Sequence, residues 1–590
     1  MTLVPLILYP GIYTEHTDRD TRNRIKSCNH VRWHENYPEK IGGRIKQTGS
    51  AYLGVCRKLH PFRSLNRHSY LALGTHLKAY VWDEGSMVDI TPYRQSGTLT
   101  DPFSTTATSA VVTVADTAHG LSVGDYVTFD NATASPLDSI VLDGDYTVTS
   151  VIDANTYTVT HTVVATNSEA AFGGSVDFDY EIPVGFADST FGGGWGAGTW
   201  GTGTWGTPRT SSDLQTPART WAIQSWGEDL ILNPRGGSIY VFDTSVGVTT
   251  ANRATLISQA PETAQFILVS PEDRFLIAYG AHDGSDSDPM LVRWCSQEDY
   301  TTWLASSINT AGTKRLDCGT RIVTAVLANR QILILTDTSA VLQSPIGYPD
   351  VYGFTTLASG CGSVSPNAAA EKNGIVEWMG EWDFFRYDGT VQALPRDVWE
   401  YVFKDINRAQ LDKVYSGVNS RFNEFWWFYP SADSNENDRY VIHNYKDNVF
   451  YVGEWNITAW SDEGVIDSIV SAADGYLYDQ ESGYDDDTLP LVATLETYDA
   501  EIGEGEDFTF VTRLIPDFKS LTGTVDVTIK KRRFPSTAQS IKTTTIMAST
   551  KQIKRRIRGR QVCLEVASYG LGDYWRMGPW RADIVKHGGK

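Results

Sequence analysis

Few residues in this chain have the type and spacing for covalent chemistry. Cys361 lies in SGCGS, a turn that could present a nucleophile, yet no histidine is spaced to act with it. No Gly-rich phosphate loop, GxSxG elbow or HExxH motif occurs. His16, His30 and His34 match neither the helical nor the finger spacing of a zinc site. The six cysteines (Cys28, Cys56, Cys295, Cys318, Cys361, Cys563) form no CxxC pair, which argues for free, mostly buried thiols. AHDGSDSD (281–288) partly imitates a calcium loop but lacks the downstream glutamate; it and YDDD (484–487) read as acidic hairpin tips. Paired carboxylates for sugar hydrolysis would stand ~5–10 Å apart, a separation that only tertiary structure fixes. No catalytic residue, metal or cofactor is therefore assigned, and the expectation is that the chain is not an enzyme.

Charge is more informative. The 590 residues carry a net −21, unevenly spread. Residues 1–94 hold 14 Lys/Arg against 8 Asp/Glu, and residues 509–590 hold 17 against 5, so 95–508 carries −39. A DNA-binding protein concentrates positive charge on its contact surface; an acidic body with basic ends suits docking onto acidic neighbours. Arg555, Arg556, Arg558 and Arg560, with Arg576 and Arg581, are the candidate docking residues. Strand alternation puts Arg556, Arg558 and Arg560 on one face and Arg555 on the other.

These residues must be positioned by β structure. The length predicts three to four domains. No stretch reaches the ~18 apolar residues of a membrane helix. The opening MTLVPLILYPG lacks a basic n-region, so synthesis in a cytoplasm is expected. Residues 1–68 read as an extended docking arm. SYLALGTH, LKAYVWDEG and MVDITP (69–92) form a first β unit. From about 221 to 490 a unit of short strand, polar turn and aromatic-rich strand recurs every 35–50 residues, as in 221–243, 322–345 and 374–395. That period is the mark of propeller blades, whose radial closure removes exposed sheet edges. The predicted fold is mainly β: a β-propeller-like body (69–96 and 181–490) built of degenerate blades, an inserted small β-barrel or sandwich domain (97–180), and a basic β domain (491–590). Stacked sandwiches are the competing architecture. One helix is expected within 395–416, with Asp397 as cap and Val398, Tyr401, Val402, Ile406 and Leu411 on one face.

GGGWGAGTWGTGTWG (192–206) places Trp195, Trp200 and Trp205 five residues apart between glycines, which predicts a tightly folded loop or strand edge rather than a linker. Loop candidates for a gate are Asp283, Asp286 and Asp288 in one blade and Asp433, Glu436 and Asp438 in another.

Residues 97–180 resemble the small β modules inserted in phage structural proteins, through His119, Gly120, Leu121, Gly124, Asp125, Val127 and Phe129, then Gly144, Tyr146 and Val148. Near the N-terminus, Val31, Arg32, Trp33, Pro38, Ile41, Gly42 and Gly43 resemble a pattern of phage tail proteins. So do Arg558, Gly559, Arg560 and Gln561, then Trp575, Arg576, Gly578, Arg581 and Asp583 near the C-terminus. With the repeat body between them, the chain resembles the tail nozzle (tail tubular protein B type) of short-tailed phages; the insert is the departure from that pattern. The resemblance implies a homohexameric tube in the virion tail, a tail adaptor protein above, and a fibre or spike at the side or below. It also implies transient, sequence-independent passage of double-stranded DNA without stable nucleic-acid binding. An acidic lumen would let phosphate slide. The alternative is a propeller that binds or cleaves surface glycans.

Overall fold

The computed structural model describes residues 2–6, 8–15, 24–190, 216–347, 349–461, 466–501, 508–533 and 539–587. The Gly-Trp run of 192–206 and His16 lie outside the described residues.

The body is a β-propeller. Seven sheets begin at Cys56–Arg63, Trp221–Trp226, Phe266–Ser270, Ile322–Ala328, Ala369–Lys372, Tyr415–Asn419 and Ile457–Ser461, and these innermost strands pack each on the next until the last meets the first. Six have four strands, and the last has four extended by the short pair Asp485–Asp486 and Leu489–Pro490; the four blade strands run in up-and-down order. We number the blades 1 to 7 in that order. Strands sandwiched between neighbouring blades lose contact with water on both faces. Hence Phe266–Ser270 and Phe275–Tyr279 of blade 3, and Glu424–Tyr429 (EFWWFY) of blade 6, are buried at every position. Turn chemistry closes the hairpins: Asn373 and Gly374 take φ of 55° and 81°, the left-handed pair of a tight two-residue turn.

The pieces read from the sequence at 221–243, 322–345 and 374–395 fall on blades 2, 4 and 5, and the β unit of 69–92 supplies the outer three strands of blade 1. Its innermost strand, CRKLHPFR (Cys56–Arg63), was hidden because its channel-facing Lys58 and His60 are polar.

Blade 7 is completed from the other end of the chain. Its first three strands come from 457–480, and its fourth is Arg44–Lys46, antiparallel to Leu477–Gln480. Gly42 and Gly43 make this closure possible: a Cβ on Gly43 would collide with the backbone of Asp485, and one on Gly42 with the backbone of Glu481.

Residues 1–68 are consequently not one arm. Thr2–Leu6 pairs with Trp580–His587, Ile25–Asn29 pairs with Ala493–Thr497, and the hairpin of Val31–His34 and Tyr37–Lys40 reaches Tyr574–Met577. The strands within the first forty residues are thus woven into the C-terminal module, Ile12 and Thr14 instead bond to Phe450 and Asp397 of the propeller, and the next two strands belong to blades 7 and 1. Extended segments with alternating apolar residues satisfy their backbone by joining a sheet, whichever chain end supplies it.

Up-and-down strands fix two faces. Loops between second and third strands, and the blade-to-blade connections, gather at one face, here called upper; the other hairpin loops lie at the lower face. The insert, Tyr93–Glu181, interrupts the connection from blade 1 to blade 2 and so stands at the upper face. Its eight strands surround Phe103, Val127, Phe129, Tyr157 and Val176. Its base is tied by a buried cluster in which Lys78 Nζ reaches Asp89 at 2.7 Å and Glu181 at 2.8 Å, with Arg253 2.5 Å from Asp89. The C-terminal module leaves blade 7 at the lower face. Arg32 of the N-terminal hairpin, 1 % exposed, anchors it by pairing with Glu424 at 3.1 Å and with Glu481.

The helix expected over 395–416 is two short pieces, an α-turn at Trp399–Phe403 and a 3-10 segment at Arg408–Lys413. Val398 caps the first without a side-chain hydrogen bond, and Gln410 is non-helical at φ −115°. Asp397 does not cap; its carbonyl accepts from Thr14 N–H at 2.8 Å. Among the described residues, no helix is long and apolar enough to cross a membrane.

Candidate functional site

Innermost strands of all seven blades line an axial channel of about 660 Å³, with Lys58, His60, Gln224, Glu371 and Lys372 among its polar side chains. At the upper face two connections cross its mouth: 187–189, which returns from the insert, and Arg408–Lys413, which joins blades 5 and 6. Arg57 of blade 1, 2 % exposed, donates to Glu436 of blade 6 through both terminal nitrogens, at 2.7 and 2.6 Å, and to Ala187 O at 3.2 Å. Lys413 Nζ meets Asp188 and Glu436, the latter at 3.0 Å. Arg235, from blade 2, pairs with Asp412 at 2.7 Å, and Ser189 Oγ donates to the other oxygen of Asp412 at 3.1 Å. Asn367 of blade 5 donates to Arg57 O at 3.0 Å. Arg57–Glu436, Lys413–Asp188, Arg235–Asp412 and Asn367–Arg57 join parts of the ring that are not neighbours, so these contacts pass over the channel mouth and stopper it.

The electrostatics are those of a fixed plug. Burial by itself would raise Glu436, but its hydrogen bonds and charge pairing with Arg57 and Lys413 hold it below the ordinary value. His76, whose Nδ1 accepts from Val55 N–H at 3.0 Å, is pushed down to about 4 by burial and then by Arg57, so it is neutral here.

Beside the plug, at the upper face over blades 4 and 5, lies a cleft of about 690 Å³. Trp382, 48 % exposed, stands at its edge on the turn of EWDF. Arg408 lies 3.6 Å from the centre of this indole, and Trp399 flanks it at 6.4 Å with planes 21° apart. Asp383 is held by Arg396 through two bonds of 2.6 Å. Asp337 accepts from Thr320 N–H at 2.9 Å and from its hydroxyl; burial would raise it, but these bonds and Arg321 keep it low. A carboxylate held ionised is a poor general acid. The carboxylates pushed up to about 7 by burial, Glu181 and Glu424, sit instead in the ion clusters at the insert base and at Arg32. Among the described residues no group of three or more His, Cys, Asp and Glu side chains could hold a metal ion. The cleft has the chemistry of a binding surface: an aromatic plate, guanidinium groups and fixed carboxylates.

The residues singled out from the sequence scatter. Asp283 and Asp286 are exposed on the second-to-third-strand loop of blade 3, where Asp283 caps the N–H groups of Ser285 and Asp286 at 2.7 and 2.9 Å. Asp288 pairs with Arg315 at 2.6 Å. Neither they nor exposed Asp433 lines the channel. Asp438 accepts from Ser431 N–H and Oγ, both at 2.7 Å. Only Glu436 reaches the axis, as part of the plug rather than as a mobile gate.

Of the arginines, Arg576 is unavailable for docking: it is 7 % exposed and bound to His34 O at 2.8 Å, Glu35 at 3.1 Å and Glu39 at 3.4 Å. Arg555, Arg556 and Arg558 lie exposed on edge strand Ile553–Gly559, and Arg581 lies exposed on Trp580–His587. A register shift between Val511 and Arg513 breaks the expected alternation, and Arg555 turns to Thr544 Oγ1 at 2.9 Å. Arg560 follows the strand, half-exposed. The plug residues Arg57, Asp188, Arg235, Asp412 and Lys413 carried no sequence signal beyond an Asp-Lys pair, whereas Trp382 between two acidic residues in a turn was a readable one.

No family model matches this chain and no curated protein matches it. Among solved structures it is similar to the phage phi92 endosialidase, at 12 % identity and a TM-score of 0.20, covering 72 % of this chain and 63 % of that one. It is also similar to an exo-β-1,3-galactanase from Phanerochaete chrysosporium, at 8 % identity and a TM-score of 0.22, covering 63 % of this chain and 97 % of that one. Likenesses of this size carry no statement about activity.

Proposed function

We propose that this chain is a structural virion protein of a short-tailed phage, of the tail nozzle type. It assembles as a homohexameric tube that docks on the tail adaptor and lets the genome through during ejection. The observation that carries this reading is the polarity of the folded chain. Both chain ends are locked together in one basic module at the lower face, while the acidic body and insert point the other way. A molecule with opposite charge at its two ends is suited to end-to-end assembly. The passage for DNA is then the lumen between copies. The propeller's own channel is crossed at its mouth by ion pairs that a passing duplex would have to break.

Light scattering and negative-stain averages of the purified chain test this. Six copies of 65.3 kDa give a ring of about 390 kDa with a central hole. A stable trimer, or a monomer that fails to complete tails on the adaptor, overturns it.

The cleft beside Trp382 favours a second reading, glycan binding by a tail component. A glycan array with wild type and Trp382→Ala decides it. Retention of a sugar that the variant loses supports this reading, and an empty array removes it.

A further inference from the structure

Residues 97–180 contain eleven Asp and Glu and no Lys or Arg. Four of these carboxylates share one outward face. Strands Tyr93–Thr100, Ser175–Glu181, Tyr126–Asp130 and Gly144–Asp153 are neighbours in that order. Register sets Asp177 directly opposite Asp130, and sets Thr128 between Asp179 and Asp145. Val127, Phe129, Val176 and Phe178 point inward and are buried, while Asp130, Asp145 and Asp177 are exposed and Asp179 is half-exposed. Like charges placed directly across two strands destabilise a sheet.

The C-terminal sheet carries the opposite pattern. Phe508–Ile515 lies between Ile553–Gly559 and Trp580–His587. Arg513 is opposite Lys554 on one side and Asp583 on the other, and Arg581 follows opposite Ile515. Val511, Leu514, Ile553, Ile557 and Ala582 are buried beneath, whereas Arg513, Lys554 and Arg581 are exposed. Here too like charges, Arg513 and Lys554, stand in register; Arg513 is compensated by Asp583 at 3.2 Å, and Lys554 and Arg581 are the exposed cations beside it. Both sheets share one lattice, with strands about 4.8 Å apart and same-face side chains about 6.8 Å apart along a strand. Laid face to face, the two sheets set Asp130 and Asp177 against Lys554 and Arg581 and relieve the carboxylate opposition of the insert.

Within one chain the two faces do not meet, because the insert leaves the propeller at its upper face and the C-terminal module at its lower face. We propose that the outward face of the C-terminal sheet is the docking surface for the acidic outward face of the insert of a second copy of this chain. The inference rests on the reading of the chain as a self-assembling component, and it assigns the contact that joins neighbours. Such a contact is heterologous: it pairs two different surfaces, and it closes a ring when the rotation between copies allows.

Two reversal variants of the full chain test it, Asp130→Lys with Asp177→Lys and Lys554→Glu with Arg581→Glu. All these side chains are exposed, so circular dichroism and melting are expected to match wild type. Sedimentation at about 0.1 M salt, where screening acts over about 10 Å, should show wild-type assembly, and each variant should associate at least about tenfold more weakly. Salt at about 1 M, where screening acts over about 3 Å, should weaken the wild type. Equimolar mixing should restore assembly, because each reversed face then finds its complement. Variants that assemble like wild type, or a mixture that stays dissociated, overturn this docking and leave the nozzle reading to tail completion. A wild type that stays monomeric at low salt also overturns it.

Discussion

Replacing Glu436 with Gln removes the carboxylate that neutralises two buried cations across the channel mouth. Arg57 has a side chain 2 % exposed and Lys413 one 0 % exposed, whereas Glu436 is 27 % exposed. Breaking a buried pair from one side costs about 3–5 kcal/mol. Lys413 keeps Asp188, and Glu436 is partly hydrated, so the lower end, about 3 kcal/mol, is expected. A cooperative unit of about 300 residues unfolds with an entropy near 0.6 kcal/mol per kelvin, which turns this into a fall in Tm of about 5 °C. Differential scanning calorimetry measures it. Removing both partners, as Arg57→Met with Glu436→Met, should cost less than the sum of the single changes, because no unpaired charge is left behind. The pairing also predicts acid sensitivity. Glu436 is depressed in the folded protein, so its contribution is present above the ordinary glutamate pKa and is lost as pH falls through the folded value. A Glu436→Gln shift below about 1 °C, or strictly additive double-variant effects, would refute a plug held by buried charge.

Gly43→Ala should unseat the strand that closes blade 7 and lower Tm, whereas Gly49→Ala, with nothing within 4 Å of its Cβ, should leave melting unchanged. Equal melting of the two variants would argue against closure by Arg44–Lys46. His30 and His76 are both pushed down to about 4 by burial, so their stabilisation is present above pH ~6.5 and is lost as pH falls toward 4. Tm against pH for His76→Gln should therefore be flatter than wild type over that window, and parallel curves would count against the assignment. Lys78→Met leaves Asp89 and Glu181 with Arg253 alone at the insert base, and limited proteolysis should then cut near 90–93 or 181–186 faster than in wild type. Unchanged cleavage would mean that the ion cluster does not hold the insert.

The sequence by itself determined the mainly β class, the repeat and the presence of a small β insert. These follow from local signals: alternating Val, Thr and aromatic residues, and Asn-Gly or Asp-Gly turns every few residues, carry their meaning wherever the strand ends up. It also determined the charge of each segment, since that needs no coordinates. It did not reveal that Cys56–Arg63 is an innermost strand, because Lys58 and His60 of this strand face the channel and interrupt the apolar pattern that marks a core strand. Tertiary structure alone decided that residues 44–46 finish a blade begun four hundred residues later, and that the strands Thr2–Leu6, Ile25–Asn29, Val31–His34 and Tyr37–Lys40 belong with the C-terminal module. Backbone hydrogen bonds are indifferent to sequence separation, so no local pattern names the partner of an edge strand. The same holds for the arginines. Arg576 and Arg581 read alike in sequence, yet one faces Glu35 and Glu39 within the hairpin contact and the other faces water, because the side of the sheet on which a residue lies is set by register. The plug of Arg57, Lys413 and Glu436 was the least legible of all, since its members lie on separate blades and meet only when the ring closes.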